Sequence, residues 1–253
     1  MLNTFQSVFL LLCFVVASLA FNWALKRVWP STKRREHNDQ IGWQLSVLGT
    51  TYAVILGFML YAVWNAFGAA DLNVDLEANA LVNLYRIADA LPEQQRTELR
   101  KLARDYADEA VREEWPQMNR GEVPSELRNM NPKMWEALTS IKSASAAELM
   151  AEDHALSELS SLSQYRRTRI LQSSSRMPTV LWALLIAGGI LSIVSCCLFG
   201  SNNEALHSLQ VFAFSFLIAL ALVAIGDINR PFQGWVHVGT VAFERAQQNM
   251  QLP

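Results

Sequence analysis

Charged side chains are scarce in this sequence, since Asp, Glu, Lys and Arg make up 17% of its 253 residues while hydrophobic residues make up 51%. A soluble domain carries about 25% charged residues. The scarcity is concentrated in four stretches that contain none of these four residue types: 1–25, 40–70, 177–203 and 205–226. A helix needs roughly 20 apolar residues to cross the hydrocarbon core of a bilayer. The sequence therefore predicts an all-α integral membrane protein with four transmembrane helices, two N-terminal and two C-terminal, and an extramembrane helical domain between them.

Catalytic and metal-binding motifs are also lacking. There is no glycine-rich phosphate loop, no serine nucleophile elbow and no histidine pair at metal-ligand spacing. The three cysteines, Cys13, Cys196 and Cys197, lie in apolar stretches and predict neither a disulfide framework nor a metal site. The net charge of −2 comes with no basic stripe for nucleic acid. We therefore expect no enzyme, no cofactor, no metal ion and no nucleic-acid partner, and a lipid bilayer as the surroundings.

The alternation of apolar and polar stretches predicts four regions. Residues 1–64 form the first pair of transmembrane helices, 65–177 the extramembrane helical domain, 178–226 the second pair and 227–253 a C-terminal tail. Uninterrupted helical patterning makes the second span continuous with the helical domain, as one rod from about Ile41 to Ala90. The first span ends in a small-residue pattern like a signal cleavage site, but no basic residue precedes it, which favours an uncleaved anchor.

Small residues recur at helical spacing in the second span. The stripe consists of Gly42, Ser46, Gly49, Ala53 and Gly57, with Thr50 beside it. Small side chains let helix backbones approach closely, which is the usual packing interface in membranes. The same stripe also suits the axis of an oligomeric pore, where backbone dipoles and hydroxyls partly replace the hydration of an ion. The spacing serves both interpretations.

Two further polar groups are candidates for function. Beyond the second span, the rod carries a polar row that is either a solvated face or a vestibule: Asn65, Asp71, Asp75, Asn79 and Arg86, with Glu77 among them. A membrane-edge cluster of Asp227, Asn229 and Arg230 follows the fourth span. Charges at the end of a span are costly unless they are paired or in water. Asp227 and Arg230, three residues apart, are close enough along the chain to pair with each other.

Several short segments resemble the bacterial bestrophin-like domain family. They are His37-Asn38-Asp39 with Gly42, Tyr52-Ala53-Val54 with Gly57-Phe58, Glu77-Ala78, Leu84-Tyr85-Arg86, Glu113-Glu114-Trp115-Pro116, and Arg230-Pro231-Phe232 with Gly234. The resemblance covers nearly the whole chain. True bestrophins, more distant relatives, are pentameric anion channels whose second helix lines the pore. Here Arg230-Pro231-Phe232-Gln233-Gly234 fits their Asn-Pro-Phe-Gly segment only in part, and the acidic cluster that follows it in true bestrophins is absent, so calcium gating is not implied.

The resemblance implies an oligomeric channel for inorganic anions, as a homo-oligomer that would be a pentamer, in the bacterial inner membrane. It also implies a cytoplasmic helical domain. Basic residues do not decide the orientation, because those of residues 26–39 are balanced by arginines flanking the other ends of the spans. The alternative function is a non-conducting membrane scaffold or sensor whose helical domain binds a partner protein.

Overall fold

The structure is a computed structural model that describes residues 4–124, 131–140 and 145–251. Ten α-helices and no strand occur in these ranges. The helices are α1 (Thr4–Val28), α2 (Ser31–Arg34), α3 (Asn38–Ile87), α4 (Glu93–Glu109), α5 (Trp115–Asn119), α6 (Asn131–Thr139), α7 (Ala146–Ser174), α8 (Thr179–Leu198), α9 (Glu204–Ile228) and α10 (Val241–Gln251). A π-helical turn at Ala110–Glu114 joins α4 to α5.

Four of these helices are long and apolar enough to cross a membrane: α1, α3, α8 and α9. The all-α membrane fold with two N-terminal and two C-terminal spans is therefore confirmed. The helix α3 has 50 residues and continues into a short 3-10 turn at Ala88–Ala90. These bounds agree with the predicted rod from about Ile41 to Ala90.

The chain divides into two compact units. The membrane unit consists of Met1–Asn65 and Arg176–Asn229, and the helical unit of Ala66–Ser175 and Arg230–Pro253. The helical unit is built around one large apolar core drawn from α3, α4, α6, α7 and α10. Residues that the sequence set apart as a C-terminal tail contribute to this core through buried side chains: Phe232, Val238, Phe243, Ala246 and Met250.

The spans of the membrane unit pack around Tyr52, which is 6% exposed. A Cβ added to Gly188 of α8 would lie 2.6 Å from Cδ2 of the Tyr52 ring, and one added to Gly189 would lie 3.1 Å from its hydroxyl oxygen. The two glycines therefore let α8 approach α3 at the ring. Small buried residues of α8 and α9, Ser192, Ser195, Ser215 and Ala219, belong to the same tightly packed interior.

The two interspan connections of the membrane unit are tied together through Asn38. Its side-chain Nδ2 donates to the carbonyl of Gly200 (2.8 Å), and its Oδ1 accepts from the Gly200 amide (2.9 Å). A Cβ on Gly200 would lie 2.6 Å from the backbone nitrogen of Arg35. Glycine is therefore required at position 200 by close approach of two backbones.

Candidate functional site

Buried positions recur along one face of α3, and in its C-terminal part Ala78, Val82 and Tyr85 are buried on other sides of the helix as well. Buried side chains recur at Ile41, Tyr52, Val63, Ala70, Val74, Glu77, Leu81, Leu84 and Ala88. At about 3.6 residues per turn these positions form a single stripe. The opposite face is the one on which the predicted small and polar residues lie.

The small-residue stripe is on a side of α3 that the described residues of its own chain leave largely uncovered. Ser46, Thr50, Ala53 and Gly57 are exposed, and Gly42 and Gly49 are half-buried. A Cβ built on Gly49 or Gly57 would meet no atom of another described segment within 4 Å, and one on Gly42 meets only the Phe199 ring at 3.7 Å. Close helix packing inside the chain is therefore carried by Gly188 and Gly189 instead. The stripe is available to a second copy, to an axis or to lipid.

The polar row beyond the second span is also uncovered, with one exception. Asn65, Asp71, Asp75, Asn79 and Arg86 are all exposed. Glu77 is 0% exposed, so the expectation that it belongs to this polar surface is wrong. The reason is positional, because Glu77 is three residues after Val74 and four before Leu81, on the buried stripe.

The membrane-edge cluster connects the ends of two spans through Asn229. Asp227, Asn229 and Arg230 are each partly buried. The side-chain oxygen Oδ1 of Asn229 accepts a hydrogen bond from the backbone N–H of Met177 at 3.2 Å. Asn229 thereby links the C-terminal end of α9 to the segment that leads into α8. The pairing of Asp227 with Arg230 stays a prediction.

A buried ionic network is the most strongly polar feature of the helical unit. Arg169 of α7 donates from Nε to Oε2 of Glu77 (2.7 Å) and from Nη2 to Oε2 of Glu114 (2.6 Å). Arg166, one turn earlier, donates from Nη2 to Oε1 of Glu114 (2.5 Å). The Tyr106 hydroxyl donates to Oε1 of Glu77 (2.6 Å). Two carboxylates are thus matched by two guanidinium groups in a water-poor interior.

Each charge of this network is maintained by its partners. Burial alone raises the pKa of the Glu114 carboxyl, but the guanidinium groups of Arg169 and Arg166 outweigh it and hold that pKa below its usual value. Burial likewise lowers the pKa of Arg169, yet the Glu77 carboxylate outweighs burial and the pKa rises well above the usual value. Burial, reinforced by Glu77, raises the pKa of Tyr106, which therefore stays a donor. Glu114 and Arg169 therefore keep their charges in the buried network, and hydrogen bonds connect them to the other members.

Aromatic rings close the network on its apolar side. The Arg169 guanidinium carbon lies 4.8 Å from the centre of the Trp115 ring and 5.8 Å from that of Phe243. The indole nitrogen of Trp115 donates to the carbonyl of Val238 at 3.2 Å. Guanidinium groups bind favourably over aromatic faces. The network therefore fixes α3, α7, the turn before α5 and the C-terminal segment in one arrangement.

This network was not predicted, although the pattern contains its signal. The sequence interpretation took Arg166 and Arg169 as charges flanking the third span. In α7 they occur in the series Leu159, Leu162, Arg166, Arg169 and Ser173, all buried at alternating spacings of three and four. Charged residues in register with a core stripe indicate buried partners rather than a solvated face. The spacing of Arg166 and Arg169 within this buried series was the signal that could have predicted the network.

The lowered pKa of Glu114 predicts acid sensitivity of the helical unit. Because its pKa is lower in the folded state than in the unfolded state, Glu114 contributes stability that is present above about pH 5 and is lost as the pH falls through its folded pKa. We expect the thermal unfolding midpoint to fall between about pH 5 and pH 3, and to fall less in Glu114→Gln. The exposed Glu98→Gln is the matched control. A Glu114→Gln curve parallel to wild type would contradict the assignment.

Fold and geometry together define an all-α membrane protein with four spans and a helical unit held by buried ion pairs. A family model for the Bestrophin-like domain matches residues 12–243. The chain belongs to the Bestrophin-like domain family, as its resemblance indicated. This is a family of membrane channels. No protein with a curated description matches the chain.

Solved structures show the same fold. A variant of a bacterial bestrophin homologue from Klebsiella pneumoniae superimposes with a TM-score of 0.68 at 12% identity, covering 93% of this chain and 97% of that chain. A second variant gives a TM-score of 0.68 at 13% identity, covering 97% and 99%. A third gives 0.65 at 13% identity and covers 97% of each chain. At such identities the likeness establishes the fold and leaves function to the residues of this chain.

Proposed function

We propose that this protein is a homo-oligomeric ion channel with α3 lining the axis. The observation that carries the proposal is the uncovered face of α3, where Gly, Ala, Ser and Thr occupy the span and no described residue of the chain itself packs against Gly49 or Gly57. A helix face made of small residues leaves its backbone exposed. Lipid stabilises such a face poorly, because lipid provides neither hydrogen bonds nor close packing. Other copies of α3 around an axis provide packing contacts, and the pore between the copies provides water.

The four spans themselves favour a path between copies. No Asp, Glu, Lys or Arg occurs in residues 40–70, 177–203 or 205–226. A single chain therefore offers few polar groups at bilayer depth, whereas a ring of copies places several Ser46 and Thr50 hydroxyls around one axis. Repeated head-to-tail contacts that close into a ring produce this symmetry. Family membership supports our proposal of a pentamer in the bacterial inner membrane with a cytoplasmic helical unit.

Two considerations about the sign of the permeant ion point in opposite directions. Family membership favours inorganic anions. The exposed row of α3 favours cations, since Asp71 and Asp75 would form rings of carboxylates while Arg86 is the only basic residue of the row. We propose anion conduction, with cation conduction as the second candidate.

Mass and conductance of the purified protein test the proposal. We expect a single oligomeric mass in nanodiscs, a multiple of the 28.4 kDa chain, and discrete currents in planar bilayers. In a chloride gradient, a reversal potential near the chloride equilibrium potential supports anion conduction, and one near the cation potential supports the second candidate. A stable monomer without current would favour a scaffold or sensor instead.

Gly49→Leu is expected to disrupt assembly. If α3 faces other copies along the stripe, a leucine at position 49 separates the helices, at a cost of about 1–3 kcal/mol per contact. The measurement is oligomer mass in a mild detergent. Ala62→Leu is the matched control, because Ala62 is exposed and lies about 140° around the helix from Gly49. Loss of oligomer in both variants, or in neither, would contradict the proposed interface.

A further inference from the structure

Arg34, in the short helix α2 of the membrane unit, is a buried cation with neutral partners. Its side chain is 0% exposed. Its Nη1 donates to the backbone carbonyl of Cys197, its Nη2 donates to the Ser31 hydroxyl (3.1 Å), and its Nε has no hydrogen-bond partner. Among the described residues, no carboxylate oxygen lies within 4 Å of it. The carbonyls at the end of α8 supply only a partial negative charge, so most of the buried charge is uncompensated.

A second buried polar side chain shares the same carbonyl. His207, in the first turn of α9, is 2% exposed, and its ring hydrogen-bonds to the backbone of Cys197. Its Nε2 has no hydrogen-bond partner. Buried polar atoms without partners are rare in folded proteins, and their presence commonly marks a ligand, an ion or an ordered water. Arg34 Nε and His207 Nε2 are two such atoms, and the side chains that carry them both hydrogen-bond to the backbone of Cys197.

The surrounding charges are mostly positive. Lys26 of α1 donates from Nζ to the Ser208 hydroxyl (3.1 Å) and to the carbonyl of Glu204 (3.4 Å). The Glu204 carboxylate is 3.9 Å from Lys26 Nζ, and its side chain is 64% exposed. One turn before Lys26 on the same helix face, Asn22 is 2% exposed and its Oδ1 has no partner. This neighbourhood therefore combines two permanent cations and a histidine with one solvated carboxylate.

We infer that the membrane unit binds a small monovalent anion, of the size of chloride, beside Arg34 and His207. The anion accepts hydrogen bonds from Arg34 Nε and, when the ring is protonated, from His207 Nε2. It also compensates the buried guanidinium, which a water molecule does not. The site is separate from the exposed face of α3 and does not depend on whether the protein conducts.

Proton and anion binding are coupled at this site. The charged groups that face His207 are Arg34, Lys26 and Glu204 of its own helix. Because the anion gains a hydrogen bond from protonated His207, binding of either one favours the other. Anion affinity is therefore higher at pH values low enough to protonate the imidazole than at about pH 8, where the imidazole is neutral.

Thermal unfolding in matched salts tests the site. We expect the midpoint of the wild-type protein to be about 6–12 °C higher in about 150 mM chloride than in gluconate at the same ionic strength, for a dissociation constant near 1 mM. The difference should be larger at about pH 5 than at about pH 8. In Arg34→Gln the difference should vanish. Arg35→Gln, an exposed neighbour that hydrogen-bonds to the Asn202 side chain, should keep it.

Bromide locates the anion directly. In crystals grown in bromide, we expect an anomalous peak within hydrogen-bonding distance of Arg34 Nε. Equal midpoints in chloride and gluconate, an undiminished chloride effect in Arg34→Gln, or a water without anomalous signal at Arg34 would each overturn the inference. If Arg34→Gln does not fold, the wild-type salt comparison and the bromide peak decide the question by themselves.

Discussion

Replacement of Arg169 by methionine should destabilise the helical unit more than any other single change considered for this protein. Arg169 is 0% exposed and bonds to both Glu77 and Glu114. Without its guanidinium, Glu77 keeps only the Tyr106 hydroxyl among its hydrogen-bond partners in the described residues, and Glu114 keeps only Arg166. Removing one partner of a buried ion pair costs about 3–5 kcal/mol, because the remaining charge is left desolvated. The thermal midpoint should fall by about 10 °C.

The matched control is Arg167→Met on the same helix. Arg167 is exposed, so its loss should change stability by about 0.5 kcal/mol or less. The deficit of Arg169→Met should also shrink towards about pH 4, because protonation of the carboxylates removes the unpaired charge. Equal stability of the two variants at neutral pH would show that the network contributes little. A deficit of the same size at both pH values would assign it to lost packing instead.

Gly188→Leu should have the second largest effect, this time on the membrane unit. Even a Cβ at position 188 would lie 2.6 Å and 2.9 Å from two ring carbons of Tyr52, and a full leucine side chain cannot fit without moving α8 from α3. Overpacking of this kind costs about 1–3 kcal/mol and more when a backbone must shift. We expect a lower unfolding midpoint in detergent and reduced yield of folded protein.

Ala187→Leu is the control for Gly188→Leu. Ala187 is the exposed neighbour on the same helix, so the added side chain meets no interior. Tyr52→Ala provides a second test, because removing the ring leaves room for a leucine at position 188. The double variant should therefore be more stable than the sum of the two single changes predicts. Additive effects would show that Gly188 and Tyr52 do not limit each other.

The fold was predictable because the local amino-acid composition identifies the bilayer-spanning segments. Uncharged stretches of sufficient length predicted four spans, and unbroken helical patterning predicted that the second span continues well beyond the membrane. The capping box at Ser145 and Glu148 likewise marked the start of α7 at Ala146. These signals depend on neighbouring residues alone, so no knowledge of distant contacts was needed.

The candidate site was only partly predictable, for the opposite reason. The sequence located the small stripe and the polar row on α3 but not which chain segments cover them. Packing inside the membrane unit depends on Gly188 and Gly189 against Tyr52, residues more than a hundred positions apart. Glu77 was assigned to the solvated surface because it carries a charge, although its spacing places it with the core. That interpretation relied on the polarity of the Glu77 side chain and not on its helical spacing.

The sequence by itself determined the number of spans, their order and the helical character of the chain, because transfer into a bilayer depends on the apolar content of each segment. Tertiary structure alone decided which polar groups are buried and with whom. Arg34 meets the carbonyl of Cys197, and Arg169 meets Glu77, across 163 and 92 positions respectively. A buried charge is tolerated only where distant segments supply its partners, and chain folding is what brings those segments together.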